Sequence, residues 1–184
     1  MIYALASLIT FESDPVMKST WDRIQRVFEI AGMTLTDLPH FSWHVAEEYD
    51  FERLGKRLDE VVKNLSPVNL HIAGAGIFSG ENPVIYLPVT KTPRISAIHN
   101  SISSWIGDFT STTNPNYNPD IWIPHITLSS EGFNSDGICQ VISELAYIPM
   151  NVGLPIDHLA ILFKNDNSSG VHDVYRFGSG LSGG

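Results

Sequence analysis

A single cysteine, Cys139, stands in 184 residues, which leaves no partner for an internal disulfide and no cysteine set for a zinc cage. Cys139 is therefore expected to pack as a small apolar side chain, in a protein of a reducing, cytoplasmic compartment. Long apolar runs are also missing. The longest, such as Ile156 to Phe163, fall far short of the roughly 20 residues that span a bilayer, and the opening MIYALASLITF carries no basic leader or cleavage signature. A soluble, non-secreted chain with no membrane contact is expected. Basic residues are few, 11 Lys and Arg against 20 Asp and Glu, for a formal net charge of -9. That balance opposes tight binding to long duplex nucleic acid, while a small anionic ligand in a cleft stays compatible with it. What is plentiful is core-forming material. With 43% hydrophobic and 17% charged residues, the chain is long enough to bury a sizeable core as one unit over residues 1–184.

Four segments repeat apolar residues at a spacing of three and four, the stripe of an amphipathic helix. They carry Trp21, Ile24, Phe28 and Ala31; Phe51, Leu54, Leu58, Val61 and Leu65; Ile95, Ile98, Ile102 and Trp105; and Ile138, Val141, Leu145 and Ile148. Ser13 to Pro15 and Lys91 to Pro93 read as caps with an early proline, and Gly32 and Gly107 as stops. Between them, segments rich in β-branched and aromatic residues predict strands over 2–11, 40–49, 68–78, 84–89, 122–129, 156–163 and 171–177. SGENP and KNDNSSG read as hairpin turns. This order is too mixed for a doubly wound sheet. It predicts an α+β, bilobal fold: two lobes of largely antiparallel sheet with helices on the outer faces and a cleft between them.

Each lobe would hold one strand headed by Pro-His. Pro39-His40-Phe41-Ser42-Trp43 and Pro124-His125-Ile126-Thr127-Leu128 share one pattern of proline, histidine, apolar, hydroxyl, apolar. Strand alternation puts His40, Ser42 and His44 on one face, and His125, Thr127 and Ser129 on one face, with the intervening apolar residues buried. A bare His-x-Ser/Thr is weak; about one is expected by chance, and His99-Asn100-Ser101 fits that description. The longer pattern, twice at the head of a predicted strand, is much more specific.

On these residues the chain resembles the two-histidine (2H) phosphoesterase superfamily, the 2'-5' RNA ligase-like proteins and 2',3'-cyclic nucleotide phosphodiesterases, whose hallmark is two His-x-Thr/Ser motifs. The ending HLAILFKNDNSSGVHDVYRFG is similar to that family's closing hairpin. The resemblance implies His40 and His125 as catalytic acid and base, Ser42 and Thr127 as phosphate-binding hydroxyls, and a small nucleotide or short oligonucleotide substrate, by default a 2',3'-cyclic phosphate. It implies no metal and no cofactor. Two imidazoles with ordinary pKa values near 6.5 can supply both proton transfers of phosphodiester cleavage. The first motif departs from the pattern: Ser42 stands for the commoner threonine, and His44-Val45-Ala46 competes with it but lacks the hydroxyl. His44, Tyr117 in the polar loop, and Lys164 and Arg176 beside the final hairpin are further candidates for the cleft.

Other readings compete. His40 and His44 could share a metal only on a helix; on a strand they are about 13 Å apart. His71, His158 and His172 read as packing or surface residues. Arg53, Lys56 and Arg57 could form a phosphate patch, but Glu52 and Lys56 are spaced for an ordinary ion pair. On the same scaffold the chain could instead degrade a cyclic oligonucleotide signal or bind nucleotide or RNA without turnover.

Overall fold

Thr92 accepts a hydrogen bond from the Ile95 N–H at 3.2 Å with Pro93 at the first helical turn, so the segment carrying Ile95, Ile98 and Ile102 begins as a helix where the sequence predicts it. The computed structural model describes residues 1–12, 15–130, 135–165 and 168–178, so the predicted cap at Ser13 and Asp14 lies outside the described residues. In chain order the elements are β1 (Ile2–Leu8), α1 (Pro15–Ile30), β2 (His40–Ala46), α2 (Phe51–Val62), β3 (Val68–Ala73), β4 (Gly76–Phe78), β5 (Val84–Pro88), α3 (Pro93–Ser103), β6 (His125–Ser129), α4 (Ser135–Leu145), β7 (Asn151–Ile156), β8 (His158–Lys164) and β9 (Ser169–Arg176). Gly32 ends α1 with φ at 62°, a conformation that costs glycine nothing. Gly107 does not end α3; Ser104 does, and Gly107 falls within a short 3-10 turn at Ile106–Phe109.

The α+β class is borne out, by one large antiparallel sheet and four helices. The seven strands run in the order β4-β5-β6-β2-β1-β8-β9, and β3 and β7 form a second, two-stranded sheet. Two predicted strands are each divided. Residues 68–78 split into β3 and β4, which join different sheets, and the predicted strand 156–163 gives only Ile156 to β7, an otherwise unpredicted strand of the small sheet, and the rest from His158 on to β8 of the large one. In place of two separate sheets the large one has two wings, β4-β5-β6 and β2-β1-β8-β9, joined where β2 and β6 register through one pair, Phe41 with Ile126. Each wing holds one Pro-His strand. Beyond that pair the polar loop takes up the bonding beside β2: Asn114 N–H donates to the Val45 carbonyl at 3.0 Å, and Glu47 N–H to Thr112 Oγ1 at 3.0 Å.

One face of the sheet carries the core. Leu5, Phe41, Trp43, Ile85, Ile126, Leu128 and Ile161 form a single buried cluster with Ile24 and Phe28 of α1, Leu54 and Leu58 of α2, Ile95 and Ile102 of α3, and Val141 and Leu145 of α4. The other face holds a separate, smaller cluster of Ala4, Ala6, Ala160 and Leu162. Short side chains there leave depth over the sheet. Cys139 is exposed on α4, contrary to its expected burial, because the buried stripe of that helix runs through Val141 and Leu145.

Candidate active site

His40 and His125 are held by corresponding backbone groups. Each ring donates from Nδ1 to the carbonyl two residues back, Leu38 at 2.8 Å and Ile123 at 2.7 Å. A carbonyl only accepts, so Nδ1 carries the hydrogen and Nε2 of the neutral ring keeps its lone pair. The intervening prolines are anchored alike: Ile9 N–H donates to the Pro39 carbonyl and Val89 N–H to the Pro124 carbonyl, both at 2.9 Å. Proline's fixed φ presets the chain for entry into each strand, and it brings no N–H that would need a partner. This shared cradle accounts for the repeated Pro-His.

The same register places the hydroxyls. Phe41 and Ile126 pair across β2 and β6 with both side chains fully buried. Counting one residue either way in an antiparallel pair sets His40 across from Thr127 and Ser42 across from His125, all four on the face opposite the core. Directly opposed Cβ atoms lie about 5 Å apart and diagonal ones about 7–8 Å. The two imidazoles thus occupy one diagonal of a quartet and the two hydroxyls the other, a spacing suited to a phosphoryl group between them. Burial lowers the pKa of both histidines. For His40 the Leu38 carbonyl opposes this and the Lys164 charge adds to it; for His125 the Ile123 carbonyl opposes it and His40 adds to it.

A cavity of about 660 Å³ opens on this face, lined by His40, Ser42, Tyr117, Thr127 and Lys164, with walls from residues 34–38 and from Asn165, Ser168 and Ser169. Tyr117 and Lys164 thus line the same cavity as His40, and the Tyr117 hydroxyl is engaged by Ser42. His125 is not among the lining residues. It belongs to the quartet by register but sits toward β4 and β5, its ring steeply inclined to Phe78 at 4.9 Å and to Tyr86 at 5.4 Å.

His44 and Arg176 do not join the site. The pairing of β1 with β2 slips between Leu5 and Ala6: Ala6 faces Ser42 while Leu5 faces His44, so Trp43 is the extra residue of a bulge. The bulge resets the alternation and turns His44 to the core face with Leu5. There it is 4% exposed, and its Nδ1 shares a 2.6 Å hydrogen bond with the Tyr49 hydroxyl. The expected common face of His40, Ser42 and His44 fails for that reason, and His40-Phe41-Ser42 is the motif that faces the cavity. The second motif strand has a register shift against β5 at the corresponding place, with Thr127 opposite Tyr86 and Ser129 opposite Ile85, yet Ser129 lines the cavity together with Thr127. Arg176 is opposite His158 in the last hairpin, and its guanidinium grips both oxygens of Asp157 at 2.9 Å. Asp157 in turn accepts from His158 Nδ1, and His158 Nε2 accepts the Leu8 N–H at 3.0 Å. This chain ends on the residue opposite His40, so Arg176 and His158 brace the cradle from outside. The helix α2 cations stay on the surface: Lys56 pairs with Glu52 at 2.7 Å and Arg57 with Glu60 at 3.4 Å.

Sequence reasoning gave His99 no role, yet it is fully buried and stacks on Trp122 at 3.6 Å and 5°. Neither ring nitrogen has a well-formed hydrogen bond among the described residues; the backbone of Trp43 and Tyr117 offsets its burial only in part. Burial pushes both His99 and His44 down to about 4. Against about 6.5 in the unfolded chain, the neutral rings contribute stability that is complete above pH 6.5 and lost as pH falls toward 4. The expected loss is on the order of a few kcal/mol. Denaturant midpoints between pH 7 and pH 4.5 measure it, and His99→Phe, which keeps the stack, should flatten the fall; an equal slope in the variant would count against this origin.

No described helix is long and apolar enough to cross a membrane, and among the described residues no three His, Cys, Asp or Glu side chains cluster to hold a metal ion. Known proteins share the family and the fold. Residues 14–166 match the 2'-5' RNA ligase superfamily. Proteins named "Putative phosphoesterase" from Bacillus thuringiensis (strain Al Hakam) and Bacillus cereus (strain AH187) are each 27% identical over 153 residues, covering 77% of this chain and 84% of theirs. Among solved structures, TT0787 of Thermus thermophilus superposes with a TM-score of 0.66 at 14% identity, covering 97% of this chain and 98% of its own. Kluyveromyces marxianus Usb1 superposes with a TM-score of 0.58 at 10% identity, covering 96% and 98%. The family match over most of the chain, on a fold that carries two Pro-His strands side by side, makes this protein a member of the 2'-5' RNA ligase superfamily, the two-histidine phosphoesterases.

Proposed function

We propose that the protein hydrolyses a nucleotide or short oligonucleotide phosphodiester, with a 2',3'-cyclic phosphate as substrate, using His40 and His125 as the proton-transfer pair. The observation that carries this reading is the quartet: two imidazoles held in one tautomer, each facing a hydroxyl residue across the same strand pair. One Nε2 takes a proton from water as the water oxygen bonds to phosphorus. The bond from phosphorus to one ribose oxygen breaks, and the other imidazole, entering as the cation, gives that oxygen its proton. A phosphomonoester results. Ser42 and Thr127 donate to the non-bridging oxygens as charge gathers on them. A solved structure of Kluyveromyces marxianus Usb1 includes uridine monophosphate, a ligand of the class proposed here.

The test is a turnover screen over 2',3'-cyclic and 3',5'-cyclic mononucleotides and cyclic oligonucleotides in excess chelator, with product phosphate position read by NMR. Conversion of 2',3'-cyclic nucleotides to monophosphates supports the reading. Turnover confined to cyclic oligonucleotides would move the protein to signal degradation, binding without turnover would make it a non-catalytic binder, and activity that returns only with added metal would change the mechanism. The pH dependence of kcat/KM should be bell-shaped. Burial lowers both pKa values, so the acid limb, where the base becomes protonated, and the alkaline limb, where the acid loses its proton, both move down. The optimum is expected on the acid side of the ordinary imidazole value near 6.5. A maximum above about pH 7.5 would contradict that pairing of roles.

A further inference from the structure

On the second wing, Tyr86 of β5 stands directly across from Thr127 on one side and from Gly76 on the other. Residues opposed across a sheet share its face, so Tyr86 lies on the face of the quartet. Two residues along β4 from Gly76, Phe78 shares that face and stacks on Tyr86 with ring centroids 4.1 Å apart and planes 20° apart. Both rings are partly exposed. Gly76 is what lets the shelf lie flat: a Cβ there would meet the Tyr86 ring at 2.6 Å, so only glycine leaves room for it. His125 adjoins both rings. A stacked aromatic pair on the open face, beside a phosphodiester site, offers a π-surface to a planar group attached to that phosphate.

We propose that the Phe78–Tyr86 shelf is a stacking subsite for the nucleobase, so that the protein selects base-bearing cyclic phosphates over base-free ones. This rests on the phosphodiesterase reading above. Stacking acts through a ring face common to all bases, so the shelf selects for the presence of a base more than for its identity. The phosphate then sits over the quartet, the base extends toward β4 and β5, and the cavity beside Lys164 receives the other side of the substrate. A purely structural role is the competing account, with Tyr86 covering an edge-strand glycine and steadying His125.

The two accounts separate by substrate. Wild type, Phe78→Leu, Tyr86→Leu, Gly76→Ala and the conservative Tyr86→Phe are compared on a 2',3'-cyclic nucleotide and on ribose 2,3-cyclic phosphate, which lacks the base. Binding of a nucleoside 3'-monophosphate and of ribose phosphate is measured in parallel by calorimetry. Wild type should favour the base-bearing compound by on the order of 10-fold or more in both measurements. Phe78→Leu, Tyr86→Leu and Gly76→Ala should remove that preference through KM and Kd, with a loss on the base-bearing compound about 10-fold larger than on the base-free one, and Tyr86→Phe should retain it. Equal losses on both substrates, or no preference in wild type, would overturn the subsite. If nothing is turned over but the binding preference depends on the shelf, the hydrolytic reading fails while the subsite stands.

Discussion

His125→Ala and His40→Ala should each lower turnover by on the order of 10²- to 10⁴-fold, the range for loss of a general acid or base, while the circular dichroism and melting curve should stay those of a folded protein. Each ring uses Nδ1 for a backbone carbonyl and leaves Nε2 for the substrate. That division of labour supplies a stricter comparison. Asparagine can reproduce the Nδ1 donor but has nothing at the Nε2 position, so His125→Asn should be as slow as His125→Ala even with the cradle bond retained. Recovery of activity in His125→Asn would mean that the ring only holds the strand entry. His44→Ala should leave turnover far closer to wild type and act mainly on stability, since the side chain is buried against Tyr49. A wild-type rate in His125→Ala on a confirmed substrate would falsify its proton-transfer role.

Thr127→Val is expected to cost on the order of 10²-fold, carried by kcat with little change in KM, as is typical when a donor to a developing oxyanion is lost. Valine matches threonine in shape, so the deletion is chiefly of one hydroxyl, and Thr127→Ser should retain most of the rate. Ser42→Ala should cost less than Thr127→Val. The Tyr117 hydroxyl already engages Ser42 and lines the same cavity, so it remains as a second donor when Ser42 is removed. The double variant Ser42→Ala with Tyr117→Phe should then fall below the product of the two single effects, because each hydroxyl covers for the other. Steady-state kinetics on these variants, with Tyr117→Phe alone, decide this. An unchanged kcat in Thr127→Val would remove the hydroxyl from the reaction.

Much of this site could be read before any coordinates, because it depends on short-range chemistry. Helix stripes repeat every three or four residues and strands every two, so the elements around His40 and His125, and the faces of Phe41 and Ile126, follow from local pattern. His44 shows where that reasoning stops. Strand parity assigns it to the face of His40, and the assignment fails through the extra residue at Trp43, which is set by how β1 and β2 pair rather than by either strand alone. Arg176 illustrates a second limit. Its place beside the last hairpin was legible, but its capture by Asp157 depends on the turn of chain that separates β7 from β8.

The sequence by itself determined the alternation of helices and strands, the α+β class and the pair of Pro-His-apolar-hydroxyl segments, since all are written in the spacing of neighbouring residues. Only the tertiary structure decided that the two segments meet. Residues 85 positions apart are brought into register by one contact, Phe41 with Ile126, and from that contact comes the diagonal of His40 and His125, while the exclusion of His44 comes from the bulge between β1 and β2 and the shelf of Phe78 and Tyr86 from the pairing of β5 with β4 and β6. The physical reason is that local spacing selects the face a side chain occupies within its own strand, whereas the pairing of strands, with its bulges, selects which faces are joined and what stands across from each residue.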